Sequence, residues 1–173
     1  MNKYVPNMYK KNINDIDYEK LKNLNIKCLM FDLDNTLLKL NKTIPKKSFC
    51  SLIKRLKKDF SIFVVSNNGS NKRVSIAAAR LGVNYVRFSM KPFSRGFKII
   101  KNKYDFAKSE MCIIGDQLMT DILGGNKFGI YTVLVDPLEN DDLSITGINR
   151  FFERRKLKQL SKKGLLRRGE YYG

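Results

Sequence analysis

The stretch Cys28-Leu29-Met30-Phe31-Asp32-Leu33-Asp34-Asn35-Thr36-Leu37-Leu38 decides the fold. A short apolar run, bounded by charged segments, stops at an aspartate, and a second aspartate follows two places on. So short a run reads as a fully buried strand rather than a helix. Its end delivers two carboxylates into one small volume. Buried like charges are costly unless something positive lies between them. A metal ion, or a transferring phosphoryl group answered by nearby cations, is the simplest resolution.

Working outward, the same pattern recurs. Short β-branched or aromatic runs at 62–65, 85–88, 111–114 and 131–135 alternate with helical periodicities. Phe49, Leu52, Ile53 and Leu56 lie at helical spacing, with Pro45 placed for a first turn. Residues 72–81 form a helix stopped by Gly82. Further helices run from Arg95 through Ile100 and from Thr120, as its cap, to Phe128. This alternation predicts an α/β fold, a doubly wound, mostly parallel sheet covered on both faces. Residues 1–25 form an N-terminal segment packed on the core. Pro6, Tyr9 and Ile13 suggest an extended piece, and Asp15 or Asp17 can cap a short helix through Leu21 and Leu24. Residues 26–138 are the core, and 139–173 a basic, partly helical C-terminal extension.

The chain of 173 residues carries 34 Lys+Arg against 16 Asp+Glu, a formal charge of +18. That balance favours an anionic partner: nucleic acid, an anionic membrane surface or a phosphorylated substrate. With no histidine, His-based zinc sites and Ser-His-Asp catalysis are excluded. Cys28, Cys50 and Cys112 show no CxxC spacing and read as reduced structural thiols. No apolar stretch approaches the roughly 20 residues that span a bilayer, and residues 1–11 lack a signal peptide's apolar region. The expected location is cytoplasmic or membrane-peripheral.

Polar residues stand at four strand ends: Asp32 and Asp34, Ser66 and Asn67, Lys91, and Asp116 with Asp121. Ligands of open parallel sheets bind at the carboxyl ends of strands, so these groups should converge on one crevice. Two acids, a hydroxyl, a cation and further acids for a metal suit phosphoryl transfer, where positioning and charge stabilisation dominate. Taken alone, Asp34-Asn35-Thr36 is an ordinary turn sequence, and Lys91 is one lysine among many.

Taken together they resemble the four motifs of the haloacid dehalogenase (HAD) superfamily. These are Asp32-Leu-Asp34-Asn-Thr36, Ser66, Lys91, and Gly115-Asp116-Gln-Leu-Met-Thr120-Asp121. The resemblance implies a HAD-type Rossmann-like core. Asp32 would be the nucleophile that forms an aspartyl-phosphate, and Asp34 the proton donor that later activates water. Ser66 and the backbone N–H of Asn67 would bind phosphate, and Lys91 would neutralise charge. Magnesium would be held by the side chains of Asp32 and Asp116 and the backbone carbonyl of Asp34. Asp121 would support either that metal shell or Lys91, with Thr120 beside it.

The gaps between motifs leave no room for the cap domain usual in HAD enzymes of small metabolites. The uncapped site suits a phosphate on a lipid, a nucleic-acid end or a protein. The N-terminal segment, Ala77-Ala78-Ala79-Arg80-Leu81-Gly82, Lys91-Pro92-Phe93 and the Gly115–Asp121 motif resemble the YqeG family, a IIIA-type HAD group similar to the phosphatidylglycerophosphate phosphatases. The implied reaction converts phosphatidylglycerophosphate to phosphatidylglycerol. The expected partner is an anionic lipid surface, met by the basic and apolar residues between Arg150 and Arg168. Alternatives are a nucleic-acid-end or nucleotide phosphatase, and a non-catalytic role with RNA or the ribosome.

Overall fold

Cys28–Asp32, the decisive stretch, is the inner strand β2 of a six-stranded sheet in the computed structural model, and every residue of it is buried. The structure describes residues 2–40, 42–69, 71–139 and 147–173. The other strands are β1 (Met8–Lys10), β3 (Ser61–Val65), β4 (Asn84–Val86), β5 (Met111–Gly115) and β6 (Tyr131–Val135), in the order β1-β6-β5-β2-β3-β4. All neighbouring strands pair in parallel. The near-continuous apolar runs of β2 and β5 are what burial on both faces of a parallel sheet demands. From β2 the chain winds outward through β3 and β4, then crosses to β5 on the other flank and on to β6. The carboxyl end of β2 therefore lies at the reversal of strand order, where a crevice opens.

Helices α1 (Tyr18–Asn23), α2 (Lys47–Leu56) and α3 (Asn71–Leu81) cover one face. Phe49, Leu52, Ile53 and Leu56 are the buried positions of α2, as the spacing predicts. Helices α4 (Arg95–Tyr104) and α5 (Leu123–Phe128) cover the other face through Phe97, Ile100 and Phe128. Asp17, one of the two caps expected for α1, accepts a hydrogen bond from Lys20 N at 2.9 Å. Gly82 ends α3 at φ +62°. Cys28 and Cys112 are buried free thiols, pushed up in pKa by burial, as inert structural cysteines are.

Several local expectations are corrected. Pro45 stands before α2 rather than in its first turn, because Lys46 is extended at ψ 145°. Strand β4 stops at Val86 rather than Phe88, because Phe88 turns to φ +48° and leaves the ladder. The helix expected from Thr120 is split. A wide π-type turn, Leu118–Ile122, precedes α5. Thr120 caps nothing; its hydroxyl donates to Gln117 Oε1 at 3.2 Å.

The C-terminal extension folds back onto the domain. Helix α6 (Gly147–Lys162) and the following chain bury Leu160 and Leu166 against Tyr9, Leu118, Ile122 and Leu134. Tyr172 exchanges backbone hydrogen bonds of 2.9 Å with Tyr9. The apolar residues of this basic segment are thus partly spent on the core. The acidic residues Asp141 and Asp142 and the side chains of Ile148, Arg150 and Phe151 lie outside the described residues; Glu139 is ion-paired with Lys39 at 2.9 Å. Among the described residues, no helix is long and apolar enough to cross a membrane.

Candidate active site

Asp32 is the last residue of β2, and its carboxylate points into the crevice between the ends of β3 and β5. Its Oδ1 accepts from the ammonium of Lys91, which also donates to Asp121 Oδ1 at 2.7 Å and to Val65 O at 3.2 Å. The Lys91 and Asp121 side chains are 2% and 1% exposed, so both charges depend on each other rather than on water. The second oxygen of Asp32, Oδ2, is buried and has no hydrogen-bond partner among the described residues. One oxygen is tethered to a cation and the other is left bare, which is a costly arrangement unless something electrophilic meets the bare atom.

Lys91 comes from the loop after β4, and Asn67, just after β3, clamps that loop. The Asn67 side chain donates to Lys91 O at 2.8 Å and accepts from Lys91 N at 2.8 Å and Ser89 Oγ at 2.7 Å. Ser66 is buried, and its Oγ accepts from Asn68 N at 3.0 Å. On the β5 side, Asp116 Oδ1 accepts from the buried hydroxyl of Thr36 at 3.2 Å. Asp121 Oδ2 accepts from Gln117 N at 3.2 Å, so each Asp121 oxygen has a protein donor. Gly115 lets Asp121 in: a Cβ there would lie 2.3 Å from Asp121 Cγ.

Asp34 stands outside this buried set. The loop after β2 closes tightly, with Asn35 at φ +64° and Asn35 N donating to Leu38 O at 2.7 Å. Asparagine tolerates that left-handed conformation well. Asp34 is thereby turned to the mouth of the crevice, where it pairs with Arg73 from the first turn of α3. The same guanidinium donates to Lys39 O and Lys42 O, each at 3.0 Å. Its planar fork thus ties Asp34 to the following loop.

The electrostatics are set by burial. Oxygen atoms of Asp32, Asp116 and Asp121 lie within 4.8 Å of one another. Three carboxylates against the one ammonium of Lys91 leave two negative charges uncompensated when all are ionised. Desolvation, opposed by Lys91 and reinforced by Asp121 and Asp34, pushes the Asp32 carboxyl up to about 7. Asp116 is raised well above the usual carboxylate range by burial first, then by Asp32 and Asp121. Burial opposes the charge on Lys91, but Asp121 and Asp32 outweigh it and hold its pKa above the ordinary lysine range. The set is all oxygen, buried and deficient in positive charge, and so fits a hard divalent cation. A surface hollow of about 390 Å³ lies elsewhere, at the amino ends of β3 and β4, and no carboxylate among the described residues lines it.

The profile of the family described as mitochondrial PGP phosphatase matches residues 1–139. The chain belongs to this family. It is 36% identical over 162 residues to the probable phosphatase YqeG of Bacillus subtilis, covering 93% of this chain and 94% of that one. It is 29% identical over 171 residues to the chloroplastic/mitochondrial phosphatidylglycerophosphate phosphatase 1 of Arabidopsis thaliana, covering 93% of this chain but only 49% of that protein. Among solved structures, the cobalt-bound deoxy-D-mannose-octulosonate 8-phosphate phosphatase of Haemophilus influenzae matches in fold. It has a TM-score of 0.50 and 18% identity over 84% of this chain and 95% of its own. The chain is accordingly a YqeG-type phosphatase of the HAD superfamily.

In this YqeG-type phosphatase the structure brings Asp32, Lys91, Asp116 and Asp121 together, with Ser66, Asn67 and Thr36 around them. Asp34 is adjacent but turned toward Arg73. Three contributions escaped the sequence reading. Arg73 is one of 34 basic residues, and nothing in its spacing marks it. Asn67 was expected to offer its backbone; its side chain instead fixes the Lys91 loop. Gly115 carried a signal, since a glycine directly before a motif aspartate suggests a close approach.

Proposed function

We propose that this phosphatase is a magnesium-dependent phosphomonoester hydrolase that works through an aspartyl-phosphate on Asp32 and removes the terminal phosphate of phosphatidylglycerophosphate. The observation that carries the reading is the divided role of the Asp32 carboxylate. Lys91 fixes one oxygen, so the bare Oδ2 is presented to an incoming phosphorus. As the Oδ2–P bond forms, the bond to the leaving oxygen breaks and Asp34 gives that oxygen its proton. Asp34 then takes a proton from water, whose oxygen attacks the same phosphorus, and the carboxylate of Asp32 is regenerated with release of phosphate.

Ser66 accepts from Asn68 N and so keeps its own proton to donate to a phosphoryl oxygen. Asn67 holds Lys91 at the height where its ammonium faces both Asp32 and that oxygen. Side chains of Asp32 and Asp116 and the carbonyl of Asp34 would hold the metal. Asp121 serves Lys91, because both its oxygens are engaged. The cation supplies positive charge against the phosphoryl oxygens and balances the buried carboxylates.

Two features support a lipid-borne substrate. Only α2 and β3 intervene between Asp32 and Ser66, and only α3 and β4 between Ser66 and Lys91, so neither gap inserts a cap domain over the crevice. The family and the plant relative point to phosphatidylglycerophosphate itself. Phosphate release would be compared for that lipid in mixed micelles, for 3′- and 5′-phosphorylated oligonucleotides and for sugar phosphates, with magnesium and after chelation. The lipid should win, and Asp32→Asn should be inactive while folded. Preference for an oligonucleotide end would transfer the assignment to nucleic acid. Wild-type turnover by Asp32→Asn would remove the proposed nucleophile.

A further inference from the structure

The loop that carries Lys91 alternates between two directions. Ser89 and Lys91 are buried, while Phe88, Met90 and Phe93 are 50%, 52% and 70% exposed. The buried positions are firmly held. Ser89 N donates to Ser66 O at 3.0 Å, Gly96 N to Ser89 O at 3.0 Å, and Asn67 grips both Ser89 and Lys91. The outward positions are held too. Phe88 and Met90 adopt φ +48° and +56°, which bulky L-residues rarely do. Strain of this kind persists where the surroundings impose it, and it concentrates at functional segments. Here it keeps large apolar side chains in water beside a catalytic loop.

Their place is the rim of the crevice. A Cβ on Gly69 would lie 2.6 Å from the Phe88 ring, so Phe88 leans on the loop that begins with Ser66. Cations flank the patch. The Arg87 guanidinium lies 5.6 Å from the Phe88 ring centroid, and Arg95 donates to Phe88 O at 2.5 Å; both are exposed. Apolar tips with basic flanks match the two layers of an anionic lipid surface, acyl chains below and charged headgroups above. A second copy of this chain is a poorer occupant, because each copy carries a formal charge of +18.

We infer that Phe88, Met90 and Phe93, flanked by Arg87 and Arg95, form a docking surface for an anionic lipid bilayer, seating the rim of the crevice on the membrane that holds the substrate. The inference rests on the lipid-phosphatase reading of the Asp32 site and gives that reading its approach. It also moves the membrane contact from the C-terminal extension, whose Leu160 and Leu166 are buried, to the Lys91 loop.

The chain contains no tryptophan, so Phe93→Trp makes a sole reporter in an otherwise intact protein. With phosphatidylglycerol vesicles its emission should shift to the blue and become shielded from a soluble quencher. Phosphatidylcholine vesicles should produce less of both. The variant Met90→Asn/Phe93→Ser removes the apolar tips, and asparagine suits the positive φ at 90. It should lose about tenfold or more in partition to anionic vesicles and in mixed-micelle turnover, while soluble chromogenic phosphate is hydrolysed as before. Turnover of the soluble phosphate tests the phosphatase reading alone, and vesicle partition tests the surface alone. Unchanged Phe93→Trp emission with vesicles, undiminished binding by the double variant, or a shift produced by oligonucleotide or by protein concentration instead of lipid would overturn the inference.

Discussion

Replacing Asp32 with asparagine should destroy turnover and yet stabilise the metal-free protein. The carboxyl is pushed from 3.8 to about 7 because burial and the nearby acids disfavour its charge more than Lys91 favours it. A tenfold change in proton affinity corresponds to about 1.4 kcal/mol. Near pH 7.5 the metal-free native state therefore gives up on the order of 4 kcal/mol relative to an unperturbed carboxyl, and near pH 5, where the folded state holds Asp32 protonated, well under half of that. The sign follows from proton counting. The folded state binds this proton more tightly than the unfolded chain, so stability is greatest below the unfolded-state value and falls as pH rises toward 7. An amide removes that cost but weakens the tether to Lys91, so the observed gain should be a fraction of the full figure, on the order of 1–3 kcal/mol near pH 7.5. It should shrink by more than half near pH 5.

Chemical denaturation of both proteins in chelator at the two pH values measures this directly. Adding magnesium then reverses the order. A ligand that binds only the native state stabilises by mass action, and the wild type, with its full carboxylate set, should gain more than Asp32→Asn. Should Asp32→Asn be less stable than wild type in chelator near pH 7.5, or its advantage be equal at both pH values, the charge imbalance ascribed to the crevice would be wrong.

Lys91→Met leaves the acids without their cation; it should cost the metal-free protein about 3–5 kcal/mol in denaturation and abolish phosphate release. Arg73→Met should lower kcat on the order of tenfold with little change in KM in steady-state assays, since a misplaced Asp34 forfeits part of the roughly 10²–10⁴-fold that acid–base catalysis supplies; a KM effect alone would make Arg73 a substrate-binding group instead. Gly115→Ala drives a methyl into Asp121, so it should cost about 1–3 kcal/mol and slow turnover, whereas wild-type kinetics would show that Asp121 need not sit where it does. Leu160→Ala, at a site 1% exposed, should cost about 2–5 kcal/mol by thermal unfolding, and a negligible loss would mean that α6 is not part of the folding unit.

What the sequence made legible and what it hid divide along a physical line. The runs at β2, β3, β5 and β6 announce themselves because central parallel strands must be apolar on both faces, and a polar residue at such a run's end has only the crevice to face. Asp32, Ser66, Lys91 and Asp116 are legible for that reason. Phe88 resists the same reading. Aromatic and β-branched neighbours favour a strand through position 88, yet the Lys91 loop bends at Phe88 and Met90 into conformations that propensity argues against. The tertiary hold on that loop accounts for it: Asn67 grips Ser89 and Lys91, Ser66 O accepts from Ser89 N, and Arg95 donates to Phe88 O. Thr120 misleads for a related reason. Its type and place suit a helix cap, but Asp121 is drawn toward Lys91 and widens the turn, leaving the hydroxyl to Gln117. In both places a contact between distant segments outweighs local preference. Both places also border Lys91, the buried cation against which the acids of the crevice are set. The departures from local rule thus mark the ammonium, more than either motif aspartate of the first loop, as the group this fold spends most to position.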